Sequence, residues 1–298
     1  MVALKVLYSD SAPFEVDMVL NEFLGDWEKE VETFDPKDLR AFLHRKDVEV
    51  GNSVLVINHI MNRPEDIIEV VAHLRPTILF YMSDERGDMS WTMALQQYTR
   101  LYLTQHNYAH YSYTDNHLHI PLGYPRYYLD NAESIRPMAE RGTTCAFIGV
   151  MKSDRMHMAD IVRAGIQKTN IVFVHHDWIL DTMPYTPSQL FKMYNDAVFV
   201  INGRGNSNQV QCFRIFEAIV AGAIPVLVAT PAEMSVSMKF HSIPPVLLAS
   251  SWEDAVNQCN RLLEDRSSLQ KMQDQLLEWW KDEMAFIKKA IRTAILTM

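Results

Sequence analysis

A chain of 298 residues is too long for one small hydrophobic core and has the length of two α/β domains. Hydrophobic residues at 48% and charged residues at 22% exclude a disordered or collagen-like chain. A net charge of -9, with no concentrated basic face, argues against nucleic acid as a partner, although a few well-placed cations can still hold one diphosphate.

In chain order, an apolar run at Leu4 to Tyr8 opens a strand almost at once, and similar runs follow at Val54 to Asn58 and Thr77 to Tyr81. Prolines Pro125 and Pro137, charges and Gly142 then break the pattern, which puts a domain boundary near residue 138. Fresh strands are predicted at Ala146 to Gly149, Ile171 to His175, Ala197 to Asn202 and Ile224 to Ala229. Helical patterns alternate with these runs, which reads as βαβ units on parallel sheets; runs lacking a polar alternate imply strands covered by helices on both faces. Beyond Ser267, Leu269, Met272, Leu276, Trp280, Met284, Ile287, Ile291 and Ile295 recur every three or four positions. That spacing predicts one long amphipathic helix over 269–298, with Trp279 and Trp280 packing it against the domains. The expected division is therefore 1–138, 139–268 and this helix.

Cys145, Cys212 and Cys259 are odd in number and widely spaced, which supports neither a disulfide framework nor a zinc site and points to a reducing, cytoplasmic compartment. No apolar stretch reaches the roughly 20 residues needed to cross a bilayer, so no membrane anchor is expected. His106, His110, His117 and His119 lie among Tyr102, Tyr108, Tyr111 and Tyr113, a polar aromatic region suited to an acceptor sugar. The His-x-His at 117 and 119 lacks a third ligand, so no metal is expected.

The richest stretch is Ala197 to Val228, AVFVINGRGNSNQVQCFRIFEAIVAGAIPVLV, which reads as strand, polar loop, helix, tight turn and strand. The Gly/Asn/Ser loop lets backbone approach a ligand closely, and the helix after it offers free N–H groups to an anion. Asn202, Gly203, Arg204 and Ser207 fall in or beside this cradle. Arg214 and Glu217, three apart, share a helix face: a guanidinium suits a diphosphate and a carboxylate suits a ribose diol. The plain alternative is a surface ion pair worth ~0.3 kcal/mol.

CFRIFEAIVAGAIPVLV resembles the signature of the exostosin-like, GT47-type glycosyltransferases. FIGVMKSDR, from Phe147 to Arg155, is similar to that family's Phe-x-Gly strand end followed by a basic residue, which brings in Gly149 with Lys152 and Arg155 as the matching phosphate cations. FYMSDE at Phe80 to Glu85 and IPLG at Ile120 to Gly123 also look like exostosin-related sequences, xylosyltransferases among them. The resemblance implies a GT-B fold, two doubly wound Rossmann-like domains facing a cleft, and inverting transfer of a sugar from a UDP-sugar to a glycan hydroxyl, with xylose favoured. Without a visible anchor or disulfides, the chain resembles a trimmed, cytosolic, viral-type version of these enzymes.

Inverting transfer needs a base for the acceptor hydroxyl and cations for the departing nucleoside diphosphate. Asp84 and Glu85, directly after the strand Thr77 to Tyr81, are the candidate bases, Asp84 ahead of Glu85; the alternative is a solvated turn. His175, following the strand that starts at Ile171, either faces the nucleobase or remains a core-edge histidine. No cofactor beyond the UDP-sugar substrate is expected. Three rival readings stand: a GT-B-type sugar-nucleotide epimerase, a non-catalytic sugar-nucleotide-binding protein, and a retaining transferase.

Overall fold

A computed structural model describes residues 4–9, 17–46, 51, 53–58, 63–82, 90–107, 112–124, 127–131, 134–174, 185–205 and 210–297. The first sheet contains β1 (Leu4–Ser9), β2 (Lys29–Phe34), β3 (Ser53–Asn58), β4 (Ile78–Met82), β5 (Leu101–Thr104) and β6 (His117–His119), in the order β2-β1-β3-β4-β5-β6. Every neighbouring pair is parallel. β3 and β4 are apolar throughout their middles and buried, as strands covered on both faces must be. Helix α1 (Pro64–Leu74) covers part of this sheet: proline opens its first turn, Glu65 and Asp66 favour its N-terminal end, and Ile67, Val70, Val71 and Leu74 form its buried stripe.

The second sheet contains β7 (Thr143–Val150), β8 (Thr169–Val174), β9 (Ala197–Asn202), β10 (Ile224–Val228) and β11 (Leu247–Ala249), again all parallel, in the order β11-β10-β9-β7-β8. Its helices are α2 (Tyr127–Asp130), α3 (Ser153–Gly165), α4 (Pro187–Asp196), α5 (Phe213–Val220), α6 (Pro231–Ser237) and α7 (Trp252–Leu263). Local chemistry explains several starts. Thr186 and Gln189 close a reciprocal capping box on α4, and the Ser251 hydroxyl accepts from the Asp254 amide at the head of α7. Between α5 and β10 the chain turns at Gly222, whose φ of 69° suits glycine; a Cβ there would lie 2.5 Å from Ile135 and 2.9 Å from Arg141. Arg141 secures that turn by donating to the carbonyls of Arg136, Tyr194, Ala197 and Ala221.

The final helix, α8 (Arg266–Leu296), follows the predicted periodicity: Leu269, Leu276, Trp280, Met284, Ile287, Ile291 and Ile295 are buried. Each such side chain contributes about 1.5–3 kcal/mol relative to exposure. Two parallel, doubly wound sheets and a long C-terminal helix make the chain α/β, consistent with a Rossmann-like GT-B arrangement, as the sequence implies. The chain divides into two compact units. One holds residues 1–123, 236–241 and 283–298, and the other holds 124–235 and 242–282. In the second, Trp280 meets Tyr124 and Phe216, and Trp279 donates to the Ser242 carbonyl at 3.0 Å. In the first, the Glu283 carboxylate accepts the His241 amide.

Candidate functional site

In the second sheet β7 lies inside, with β8 on one side and β9 on the other, so the connections leaving β7 and β8 run in opposite directions. The crevice between the carboxyl ends of β7 and β9 is therefore the topological switch point, the place where open α/β sheets take ligands. Gly149 stands at the end of β7, Asn202 and Gly203 at the end of β9, and α3 and α5 begin beside them.

Two arginines converge there. Arg155, in the first turn of α3, donates through Nη1 to the Val150 carbonyl at 2.9 Å and through Nη2 to the Arg204 carbonyl at 2.7 Å. Arg214, in the first turn of α5, donates through Nε to the Ile148 carbonyl at 2.8 Å, with its guanidinium 4.4 Å above the Phe147 ring. Arg155 lies over the same ring at 5.9 Å. Only glycine at 149 leaves room for both, since a Cβ would stand 2.7 Å from Arg214 Nη2 and 3.3 Å from Arg155 Nη1. Gly203 has the same role against the stem of Arg155, 3.1 Å from Cγ.

Arg155 is 6% exposed and Arg214 9%. Burial, and then the neighbouring Arg214, pull the Arg155 guanidinium below its ordinary pKa. Neither arginine forms an ion pair among the described residues, and Arg155 Nε is buried without a hydrogen-bond partner among them. Two like charges at this range repel by on the order of a few kcal/mol, and buried charges are normally paired. An anion between them would relieve both costs.

Glu217, one turn along α5 from Arg214, is half-buried, with its carboxyl surrounded by protein. Burial pushes that carboxyl up to about 7 against the opposing pull of Arg214. Tyr128 and Tyr194 border it, and burial and then the Glu217 charge raise both phenols. The Tyr128 hydroxyl has no hydrogen-bond partner among the described residues.

The structure thus brings together Gly149, Arg155, Asn202, Gly203, Arg204, Arg214 and Glu217. Lys152 is the residue immediately before α3. Arg204 contributes its carbonyl to Arg155, while its own guanidinium pairs with Glu233 at 2.7 Å. Asp84, Glu85, His175 and Ser207 lie outside the described residues. Sequence reasoning did not single out Phe147 as the ring beneath the cations, the tyrosines around Glu217, or Cys212, whose Sγ lies 3.6 Å from Arg214 Nη1. Cys212 sits inside the quoted signature, so its place at the head of α5 was readable; Tyr128 and Tyr194 carried no local signal.

With this geometry in view, the family model of the RXYLT1 C-terminal domain matches residues 124–297. The chain belongs to that family. It is a family of xylosyltransferase-like glycosyltransferases, which gives the chain its enzyme class. The match begins at Tyr124 and covers β7 to β11 together with both arginines and Glu217. No curated protein matches the chain closely enough to be a relative. No helix among the described residues is long and apolar enough to cross a membrane, and no group of His, Cys, Asp or Glu among them could hold a metal ion.

Proposed function

We propose that the chain is an inverting glycosyltransferase that moves xylose from UDP-xylose to a hydroxyl of a glycan acceptor, with the donor diphosphate seated between Arg155 and Arg214. The observation that carries this reading is the pair of buried, ion-pair-free guanidiniums sharing the space above Gly149 at the switch point. A diphosphate supplies the missing anion and accepts from planar guanidinium donors. In this reading Lys152, Asn202, Gly203 and Ser207 complete the cradle, Glu217 takes the ribose diol, and His175 is the candidate contact for the nucleobase.

In the reaction the anomeric C–O bond to the diphosphate breaks, and its electron pair leaves on the β-phosphate oxygen. The acceptor oxygen bonds to the opposite face of the sugar and loses its proton to Asp84 or Glu85. Arg155 and Arg214 stabilise the charge that grows on the leaving group. They do so without a divalent cation.

The decisive experiment titrates UDP into the parent and into Arg214→Ala, and follows UDP release from UDP-xylose with and without a glycan acceptor, with and without EDTA. Arg214→Ala should weaken UDP binding by more than about 1.5 kcal/mol, because a charge-assisted contact is lost. UDP release should require the acceptor, survive EDTA and yield the inverted anomer. Donor conversion without acceptor would mark an epimerase, and unaltered UDP affinity would remove the arginine seat.

A further inference from the structure

Cys212 is the residue immediately before α5, and its sulfur stands beside the arginine pair. Sγ lies 3.6 Å from Arg214 Nη1, 3.7 Å from Asn202 Oδ1 and 4.0 Å from the Gly203 carbonyl oxygen. Gly203 also meets the other cation: a Cβ added there would lie 3.4 Å from Arg155 Nε, the buried nitrogen that has no hydrogen-bond partner among the described residues. The sulfur therefore shares its surroundings with two guanidiniums, neither of which forms an ion pair among those residues.

The three cysteines differ in access. Cys145 and Cys259 lie fully buried in the hydrophobic core of the second sheet, where burial raises both thiols. Cys212 is only half-buried, so a reagent arriving from solvent meets this sulfur first. Its neighbours also decide which form of the sulfur fits. Asn202 Nδ2 donates to the Val200 carbonyl at 2.8 Å, which leaves Oδ1 facing the sulfur. A thiol has a hydrogen to give to Oδ1 or to the Gly203 carbonyl. A sulfur carrying ionised oxygens has none and is repelled by both acceptors, and its donors are then Arg214 Nη1 and Arg155 Nε.

We propose that Cys212 is a peroxide-sensitive site that closes the seat: oxidised to the sulfinate, it supplies from within the chain the anion that the two guanidiniums otherwise take from the donor. This rests on the arginine pair being the diphosphate seat. In the first step the sulfur takes one oxygen from hydrogen peroxide; the O–O bond breaks, an S–O bond forms, and the thiol becomes a sulfenic acid with release of water. A second hydrogen peroxide adds the second oxygen in the same way, releasing water and a proton and leaving the sulfinate anion. Sulfur loses an electron pair in each step and peroxide gains it. A diphosphate then meets a seat that is both occupied and less positive.

The test titrates UDP into the parent and into Cys212→Ser, each before and after treatment with hydrogen peroxide, with peptide mass spectrometry locating the added oxygens. Cys212 should gain two oxygens, and the parent's Kd for UDP should then rise about tenfold or more. In Cys212→Ser the same treatment should change Kd by no more than about twofold, and UDP present during treatment should slow oxidation of the parent's Cys212. Met151 and Met156 are exposed and also oxidise, so an equal rise in Cys212→Ser would assign the loss to methionine and overturn the proposal. So would a Cys212 that stays a thiol, or one that is oxidised with UDP affinity intact. Cys212→Asp against Cys212→Asn separates charge from shape: Asp should bind UDP about tenfold more weakly than Asn, and equal affinities would remove the anion from the explanation. If these variants fail to fold, protection of the parent's Cys212 by UDP decides alone. A parent that binds no UDP before treatment defeats the diphosphate seat itself, a result distinct from all of these.

Discussion

In each sheet the first strand lies inside, between its second and third, so connections diverge at β1 and β3 in one and at β7 and β9 in the other. What lies at the strand ends differs. Around β5 and β6 several buried amide, hydroxyl and imidazole groups bond nearby main-chain carbonyls: Gln105 donates to the Leu122 carbonyl at 2.9 Å, Thr104 donates to the His106 carbonyl at 3.2 Å, and His119 bonds the Gln105 carbonyl at 2.7 Å. At the switch point of the second sheet the buried groups include two guanidiniums, neither of which forms an ion pair among the described residues. The comparison separates two things that a doubly wound sheet contributes. Winding determines where a crevice forms, and the charge left unpaired there determines what can fill it.

The strongest way to break this contrast is to remove both cations. Arg155→Ala with Arg214→Ala should cost at least about 3 kcal/mol of UDP binding, around a hundredfold or more by titration calorimetry. A smaller loss would mean that the anion sits elsewhere. Next in size is a change in the first unit. Gln105→Leu keeps the volume but leaves the Leu122 carbonyl without its donor, and should lower unfolding stability by about 1–3 kcal/mol in denaturant titrations. UDP affinity should stay as in the parent. Coupled loss of both would show that the two regions do not act independently.

The smallest effects are in pH dependence, where the two regions oppose each other. Glu217 has a folded-state pKa of about 7 against an ordinary 4.5, so between those values the folded chain holds a proton that the unfolded chain has released. Stability from this group is present below about pH 4.5 and is lost as pH rises towards 7. His117 is the reverse: burial, with His119 and Lys239 nearby, lowers it from 6.5 to about 3. The unfolded chain then takes up a proton first, and stability falls as pH drops below 6.5. Melting temperatures measured across pH 4 to 8 should lose the first slope in Glu217→Gln and the second in His117→Gln. A variant that retains its slope would rule out the corresponding group as the cause.

Much of this was readable in the chain. Seven strands announce themselves as apolar runs, most because burial on both faces leaves no polar alternate, although β8 is a half-exposed edge strand, and α8 announces itself by its long period. Four strands gave no such signal. β2, Lys29–Phe34, is an edge strand whose Val31 is exposed, β5 has only four residues, and β6 and β11 have three each, too few for a period to show. Arg214 and Glu217 were legible because three residues along a helix is a local relation.

The amino-acid sequence by itself determined the α/β class, the long final helix and the motif that places a cation and a carboxylate on one helix face, since each depends on spacing within a single element. Only the tertiary structure decided that β9 would lie against β7, bringing Arg155 and Arg214 to one glycine and setting Tyr128 and Tyr194 around Glu217. It also decided that residues 236–241 and the end of α8 return to the first unit. The reason is physical: periodicity encodes which face of an element is buried, whereas strand order and the meeting of like charges depend on how distant segments pack, which no short window contains.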